Sequence, residues 1–434
     1  MIQTYKLSEM QKDDIKRILK RSEVETAGVH ELVKKIIEDV KTQGDPALVK
    51  YTKEFEDIVI QEDRVEVTKE EIAEAYRQVD ADTVESIRVL ADQVRRFHKA
   101  QLPEKMWSTE LSPGLVAGQM VVPLQRVGCY VPGGRGWFPS AVMMTVLPAV
   151  VAGVAEVVVC TPATTGGIIN PGTLVALDIC GASRIFRIGG AQAIAAMTYG
   201  TQTVPKVEKI VGPGSKFVLA SYQLLRGEVD FGPLAGPGEG LIVADESAKA
   251  SWAAADVIIQ CEHGTDAAGV LVTHVKELAE EVARLIPEHV ERLAPRNREF
   301  VIESLRKFGA IIITESLQES LDFANEYAVE HLEIMTANPM LDMQKIRNAG
   351  GIYLGHYTPL STGCFGSGPN HVLPTNRRAV LEGGLATHHF YKLVTFEYFS
   401  KDGLAHLRDH MVRLAEYEGF PAHGNAILER FKEE

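Results

Sequence analysis

Two short segments in the second half of the chain place side chains at spacings that suit catalysis. Gln260 and His263 lie three residues apart just before Gly264. A helical or tightly turned backbone would let both side chains bind one metal ion. Glu330 and His331 are adjacent and precede an apolar run, and such a pair supplies two bases, one of which titrates near neutral pH. Taken singly, each segment is also what a solvated polar cluster looks like.

Two further segments add a thiol, two imidazoles and a carboxylate. The segment 363–375 contains Cys364 and His371 among several glycines and prolines, and so many special residues in a loop indicate a site rather than packing. Glu418 and His423 lie in the last part of the chain. By itself that last pair is most often a solvated turn.

Three glycine-rich turns follow β-branched runs and suit phosphate binding. They are residues 131–140, 189–193 and 211–215. In such turns, backbone N–H groups at a helix N-terminus bind phosphate, although a single turn is more often an ordinary connection between strand and helix. The G-x-G-x-x-G fingerprint and the P-loop are both absent. Three such turns in one α/β region favour a bound nucleotide.

The elements that must position these residues alternate between strand and helix. Helical stretches separate the β-branched runs, so parallel sheets built from βαβ units are expected. The runs fall on both sides of residues 232–240, which predicts two α/β domains. The predicted strands are residues 157–160, 185–188, 209–211, 241–243, 270–272 and 311–314.

Helical patterns flank this α/β region. Residues 6–99 read as charged amphipathic helices, and residues 29–51 carry apolar side chains at near-helical spacing. The pattern returns to helix after Gly383 and Gly384, and this tail is expected to pack on another subunit. The expected divisions are a mainly helical arm contributing to the first α/β region (1–117), a Rossmann-like cofactor domain (118–235), a second Rossmann-like domain with the metal and catalytic residues (236–381) and a helical tail (382–434).

The composition indicates a well-packed soluble protein of two to four domains, with 434 residues, 45% hydrophobic and 24% charged. The net charge of −13 disfavours nucleic acid or an anionic membrane as the partner. Residues 141–159 are the most apolar stretch, but Pro148 and Gly153 interrupt them, which suits a buried helix and strand. A polar N-terminus without a signal peptide and five scattered cysteines predict a reducing, cytoplasmic location.

Eight motifs, in order, give this chain a close resemblance to the histidinol dehydrogenase family. They are YVPGG, GGAQAIAAM-YGT, KIVGPG, AGP-E, Q-EHG, NEYA-EHLEI, G-NHVLPT and EG--AH, and they cover residues 121–427. The resemblance implies two incomplete Rossmann-like domains of the aldehyde dehydrogenase kind and a homodimer whose tail completes the neighbouring active site. It also implies a zinc ion and two successive hydride transfers from a small primary alcohol to NAD, which yield the carboxylate.

The resemblance assigns roles to particular residues. His331 takes the hydroxyl proton of the alcohol, and Glu330 deprotonates the water that attacks the aldehyde. The implied metal ligands are Gln260, His263, Cys364 and His423. The implied cofactor contacts are Tyr130, Gln192 and Ser215. The implied substrate contacts are Gly238, Gln260, His263, His331, Cys364, His371, Glu418 and His423.

Three positions depart from the family pattern inside the expected site. Cys364 replaces an aspartate ligand, Gly238 replaces a serine that contacts the substrate, and Ser215 replaces an asparagine. A thiolate is a good zinc ligand, so the first change is compatible with a metal. Positive charge in nearby loops would suit an anionic diol such as dihydroxypropanesulfonate, and it comes from Arg135, Arg377 and Arg378.

The sequence leaves several functions open. The chain is interpreted as an alcohol dehydrogenase of this family, either for histidinol in histidine biosynthesis or for another polar alcohol. A second interpretation makes Cys364 or Cys261 the nucleophile of an aldehyde dehydrogenase. A non-catalytic binding protein is the third, and the retained Glu330 and His331 disfavour it.

Overall fold

The computed structural model describes residues 2–21, 27–133, 136–164 and 166–432. The chain divides into two compact units. Unit 1 comprises Met1–Gln101 and Leu124–Phe390, and unit 2 comprises Leu102–Pro123 and Tyr391–Glu434.

The strands and helices are as follows. The strands of the described ranges are β1 (Gln3–Lys6), β2 (Met106–Ser112), β3 (Leu115–Pro123), β4 (Arg126–Tyr130), β5 (Glu156–Cys160), β6 (Arg184–Phe186), β7 (Lys209–Val211), β8 (Asp230–Phe231), β9 (Glu239–Ala244), β10 (Ala268–Thr273), β11 (Ala310–Ile313), β12 (His331–Met335), β13 (Gly351–Leu354) and β14 (Tyr391–Phe399). The helices are α1 (Lys12–Leu19), α2 (His30–Gln43), α3 (Asp45–Glu56), α4 (Lys69–Gln78), α5 (Ala81–Ala100), α6 (Pro139–Ala152), α7 (Pro171–Cys180), α8 (Gly190–Tyr199), α9 (Lys216–Leu225), α10 (Ala250–Val257), α11 (Lys276–Glu291), α12 (Pro295–Phe308), α13 (Leu317–Tyr327), α14 (Pro339–Asp342), α15 (Leu360–Cys364), α16 (Lys401–Tyr417) and α17 (Pro421–Glu429). Short 3-10 helices cover Leu7–Glu9, Ala27–Val29, Glu62–Arg64, Gln260–His263, Met343–Lys345, Arg378–Val380 and Thr387–Phe390.

Unit 1 contains two parallel sheets. The first has the order β6-β5-β4-β7-β8, and the second has the order β1-β11-β10-β9-β12-β13. Apart from β1, both sheets follow one scheme, in which the third, second, first, fourth and fifth strands of the domain lie side by side. This is the Rossmann-like order, in which the order of strands across the sheet reverses between the first and fourth strands. The predicted α/β class with two Rossmann-like domains is confirmed.

Burial on both faces explains why the strand segments are continuously apolar. Every residue of β9 and β10 is buried, and so is every residue of β5 after its first. Helices α2, α3, α8 and α9 cover one face of the first sheet. Helices α10, α11 and α12 cover one face of the second sheet, and α1 and α13 cover the other. Each fully buried aliphatic side chain stabilises the fold by about 1.5–3 kcal/mol.

Local signals set the helix boundaries. The segment 29–51 forms two helices because Gly44, at φ 71°, separates α2 from α3. Thr68 and Glu71 form a capping box at the start of α4. Asn170 caps α7, where its side chain accepts a hydrogen bond from the Thr173 N–H. The apolar stretch 141–159 forms α6 and β5, as its composition predicts.

Unit 2 contains a three-stranded antiparallel sheet and two helices. The strand order is β14-β3-β2, and α16 packs against α17. The sequence pattern predicts the helices of the tail but not β14. The expected division after residue 117 falls inside β3. The division of unit 1 after residue 235, between its two sheets, stays a proposal.

The first residues of the chain differ from the expected helical arm. Residues 6–99 are mainly helical, but β1 precedes them and pairs in parallel with β11, which belongs to the second sheet. The arm therefore contributes to the second sheet as well as to the first, since α2 and α3 pack on the first. Among the described residues, no helix combines the length and the apolar character needed to cross a membrane.

A glycine at the carboxyl edge of the first sheet gives a stability prediction. Gly212 has φ 130°, and a Cβ added there would lie 2.0 Å from the backbone oxygen of Tyr130. We expect Gly212→Ala to lower the free energy of unfolding by about 1–3 kcal/mol or more, because β4 and β7 must move apart. Urea denaturation followed by circular dichroism measures the change.

Gly383 provides the matched control. It has no atom within 4 Å of an added Cβ and no positive φ, so Gly383→Ala should leave the urea midpoint nearly unchanged. Equal midpoints for the Gly212→Ala and Gly383→Ala variants would contradict the close approach of β4 and β7.

Candidate active site

A 3-10 helix brings Gln260 and His263 onto one side of the chain. It covers Gln260–His263 and follows α10. In a 3-10 helix, side chains three residues apart are eclipsed, so the backbone supplies the tight turn that the spacing requires. The Gln260 amide is buried, and its Nε2 donates to the Cys364 sulfur at 3.6 Å.

Cys364 ends the short helix α15 and lies among imidazoles. Burial would raise the pKa of its thiol, but the nearby imidazoles of His263 and His331 lower that pKa to about 6. His371 hydrogen-bonds the backbone of Gly363 and Cys364, and burial together with the nearby His331 lowers its pKa to about 4. The loop therefore holds a thiolate and a neutral imidazole at neutral pH.

Gly238 adjoins the same group. A Cβ at this position would lie 2.6 Å from Gln260 Oε1. The Gln260 amide thus fills the space that a larger residue at position 238 would need. The expected substrate-side residues Gly238, Gln260 and Cys364 are brought together by the fold.

Glu330 and His331 both face the backbone of Glu239. The left-handed conformation of Ala328, at φ 51°, ends α13, and a bend at Glu330 precedes β12. Glu330 Oε2 accepts from the Glu239 N–H at 2.9 Å, and His331 Nδ1 donates to the Glu239 carbonyl oxygen at 3.2 Å. Adjacent residues on a regular strand would point to opposite faces, so this bend is what brings both to one site.

The hydrogen bond at Nδ1 fixes the tautomer of His331. In the neutral ring Nδ1 therefore carries the proton and Nε2 holds the lone pair, and the buried Nε2 has no hydrogen-bond partner among the described residues. Burial would lower the pKa of His331, but Tyr353, Glu330 and Cys364 raise it well above its ordinary value. The Tyr353 ring stacks on the imidazole at 5.7 Å between centroids. His331 is therefore a preorganised base of raised basicity.

Glu418 and His423 belong to unit 2. Both side chains are exposed, Glu418 at the end of α16 and His423 within α17. Their expected places beside the metal and the substrate stay predictions.

The expected cofactor contacts lie at the carboxyl edge of the first sheet. Tyr130 ends β4, and its hydroxyl accepts from the Gly190 N–H at 3.1 Å. Gln192 lies in the first turn of α8 and is buried, whereas Ser215 is the exposed N-cap residue of α9, after β7. Dinucleotides bind where the strand order reverses, outside the carboxyl ends of the strands. In this sheet that point lies between β4 and β7.

The equivalent point of the second sheet is filled by protein. It lies between β9 and β12, where Asp245 accepts from the Ala337 N–H at 2.8 Å and from the Ser247 N–H at 2.9 Å. The functional residues of this sheet instead lie at its amino edge, where Glu239 and His331 begin β9 and β12. The seven residues 232–238 join the carboxyl edge of the first sheet to this amino edge. A chain of that length spans at most about 25 Å.

Two of the three arginines expected to bind an anion, Arg377 and Arg378, lie in the described part of the chain. Arg378 is paired with Glu382 at 2.6 Å. Arg377 is an exposed residue in the left-handed region, and Arg135 lies outside the described residues. The pairing of Arg378 removes part of the argument for an anionic substrate.

The structure also bears on the second candidate nucleophile. Cys261 is fully buried, and burial raises the pKa of its thiol to about 12. A thiol without exposure or thiolate character is unreactive. The hypothesis that Cys261 is a nucleophile is wrong, and Cys364 is the cysteine with the required properties.

Several residues at these edges were not predicted from the sequence. Glu239 lies within a motif that assigns it no role, and no sequence pattern distinguishes Arg21 or Tyr353. Glu56 ends α3, and its carboxylate accepts a hydrogen bond from the Gly189 N–H. Burial raises the pKa of Glu56 to about 7. All four depend on contacts between distant segments, which periodicity does not encode.

The donor chemistry suits a zinc ion, but one chain supplies only part of a ligand set. A thiol, an imidazole and an amide oxygen are all zinc or borderline-metal ligands. Within the described ranges, no three His, Cys, Asp or Glu side chains are grouped so as to hold a metal ion.

Comparison with known proteins shows which family the chain belongs to. The family model for histidinol dehydrogenase matches residues 19–431. A histidinol dehydrogenase from Methanosarcina mazei is 43% identical over 428 residues, which are 98% of this chain and 97% of that protein. A histidinol dehydrogenase homolog from Colwellia psychrerythraea is 40% identical over 429 residues, which are 98% of this chain and 96% of that protein.

A solved structure agrees as well. The crystal structure of histidinol dehydrogenase from Elizabethkingia anophelis superposes with a TM-score of 0.93 at 32% identity, covering 99% of this chain and 98% of its own. The chain therefore belongs to the histidinol dehydrogenase family, whose activity is that of oxidoreductases acting on CH–OH groups.

Proposed function

We propose that this protein oxidises L-histidinol with NAD, through the aldehyde, to the carboxylate. The observation that carries the proposal is the pair Glu330 and His331, buried and fixed on Glu239, beside the group formed by Gln260 and Cys364. Family membership supports histidinol as the substrate. The pairing of Arg378 with Glu382 leaves less support for an anionic diol.

The metal that we propose is zinc, held by Gln260, His263, Cys364 and His423 of a second copy of the chain. When bound, zinc supplies Lewis acidity that polarises the reacting alcohol. The place of His423 in the exposed tail supports a shared site. Glu418 is proposed to contact the substrate from the same tail.

The protein side chains divide the proton transfers. In its neutral form His331 has a lone pair on Nε2, and we assign this atom the removal of the alcohol proton. Glu330 lies against His331, with 3.3 Å between Oε2 and Nδ1, and is assigned the activation of water in the aldehyde step. NAD, when bound against Tyr130, Gln192 and Ser215, accepts the hydrides.

This division of labour gives a kinetic prediction. His331→Asn should slow alcohol oxidation about a hundredfold to ten-thousandfold, the usual cost of losing a general base. Glu330→Gln should spare much of the first hydride transfer and block aldehyde hydrolysis. Single-turnover NADH formation from the alcohol and, separately, from the aldehyde measures both. Equal impairment of the two steps by Glu330→Gln, with both substrates still bound, would show the assignment to be wrong.

The shared site gives a second prediction. Glu330→Gln and His423→Asn should each form no carboxylate from L-histidinol when tested alone, because each removes one residue from every site. When the two variants are unfolded and refolded together, mixed dimers should regain activity, since one of their two sites then has both wild-type residues. Two variants that stay inactive after mixing, although a different affinity tag on each shows that mixed dimers have formed, would exclude a shared site.

A second candidate function is favoured by the Cys364 thiol, whose pKa of about 6 suits a nucleophile. In that function the thiolate attacks an aldehyde without a metal. The test is alkylation by iodoacetamide over a range of pH. We expect Cys364 alone to react, with a rate half-maximal near pH 6, because burial raises the pKa of Cys129, Cys160, Cys180 and Cys261.

Metal content separates the two candidate functions. If Cys364 is a ligand, zinc added before iodoacetamide should protect it, and removal of the metal by a chelator should abolish activity. If Cys364 is the nucleophile, the chelated enzyme should still oxidise the aldehyde. Cys364→Ser serves as the control for labelling, and a rate that keeps rising above pH 8 would contradict the lowered pKa.

A further inference from the structure

Arg21 and Glu239 form an ion pair without exposed surface. Arg21 Nη2 lies 2.8 Å from Glu239 Oε2, and both side chains are 0% exposed. Arg21 Nη1 donates to the Leu19 carbonyl oxygen, and its guanidinium lies 3.6 Å from the centre of the Tyr327 ring. The arginine follows α1, while the glutamate begins β9, so the pair joins the N-terminal arm to the second sheet.

Glu239 is hydrogen-bonded to both catalytic candidates. Its N–H donates to Glu330 Oε2 at 2.9 Å, and its Oε2 accepts from the Glu330 N–H at 3.3 Å. Its carbonyl oxygen accepts from His331 Nδ1. The peptide N–H of Glu239 therefore holds Glu330, and its peptide carbonyl holds His331. The Glu239 side chain in turn holds the backbone N–H of Glu330.

The same carboxylate also holds the loop that carries His371. Glu239 Oε1 accepts from the Asn376 N–H at 2.7 Å. On the other side, Arg21 Nη2 lies 3.3 Å from the carbonyl oxygen of Ala328, the left-handed residue before the bend at Glu330. The pair thus contacts three segments that meet at the catalytic bases.

Stability alone does not account for such a pair. Replacing a buried ion pair with neutral side chains is often neutral or stabilising, because desolvation offsets the attraction between the charges. In contrast, the rate of a reaction that depends on an oriented base falls strongly when that base is free to change its orientation. The pair therefore fits a role in catalysis better than a role in holding the fold.

We propose that Arg21 and Glu239 are positioning residues, which fix the Glu330 carboxylate and the Nδ1–H tautomer of His331. This inference rests on the proposed function and extends it to two residues that touch neither substrate nor cofactor. Arg21 acts through Glu239, and Glu239 acts through the peptide groups that the two bases share.

The experiment uses Glu239→Gln in the full chain, supplied with zinc, L-histidinol and NAD. We expect kcat to fall about tenfold to a hundredfold, while KM for the alcohol and for NAD changes less than about twofold, because ground-state contacts remain. In a His331→Asn background the same change should lower kcat less than about threefold, since the base that it orients is gone. An equal fall in both backgrounds would overturn the proposal.

A double variant separates an effect on the orientation of the bases from an effect on the stability of the fold. Arg21→Met combined with Glu239→Gln removes both charges, so its urea midpoint should return towards that of the wild type, but its kcat should stay low. Recovery of kcat together with stability would overturn the proposal. If Glu239→Gln does not fold, Arg21→Lys replaces it, since this variant keeps the charge and loses the guanidinium fork. Its kcat is then compared in the wild-type and His331→Asn backgrounds.

A largely buried ion pair away from the candidate site provides the control. Arg187 Nη2 pairs with Glu71 Oε2, and the side chains are 4% and 23% exposed. Glu71→Gln should lower the urea midpoint and leave kcat unchanged. A wild type that forms no NADH from L-histidinol overturns both proposals, whereas an active wild type with an equally active Glu239→Gln variant overturns only this one.

Discussion

The carboxylate of Glu239 has no exposed surface, so its charge must be neutralised inside the protein. Arg21 lies 2.8 Å away and does this, and backbone N–H groups of Glu330 and Asn376 occupy the remaining lone pairs. Breaking a buried pair by removing one partner costs about 3–5 kcal/mol, because the other charge is left uncompensated. The N-terminal arm, the start of β9, the turn before β12 and the loop after His371 are consequently held in one arrangement.

Two sheets of the same strand order carry the candidate functional residues at opposite edges. The first keeps its carboxyl edge for the expected cofactor contacts, with Tyr130 and Ser215 on either side of the point where the strand order reverses. In the second sheet Asp245 occupies that point, and the amino edge carries Glu239 and His331. Because residues 232–238 run from one edge to the other, the hydride donor and acceptor are expected to meet between the two edges.

The replacements inside the site are related through Gln260. Its Oε1 fills the space beside Gly238, and its Nε2 donates to Cys364. The imidazoles around Cys364 lower the pKa of its thiol, so the position keeps a negative charge at neutral pH, as a carboxylate would. Cys364 would therefore offer a negatively charged donor at the position where the resemblance implies a carboxylate ligand.

The sequence by itself determined the α/β class, the positions of the predicted strands, and the residue types at Gln260, His263, Glu330, His331 and Cys364, because these depend on local periodicity and motifs. It did not determine that β1 joins the second sheet, that β14 pairs with β3, or that Arg21 finds Glu239 across 218 positions. In the sequence Arg21 resembles any surface arginine of a charged helix. Only the tertiary structure selects such partners, since the free energy of a buried charge depends on which distant groups surround it and not on its neighbours in the chain.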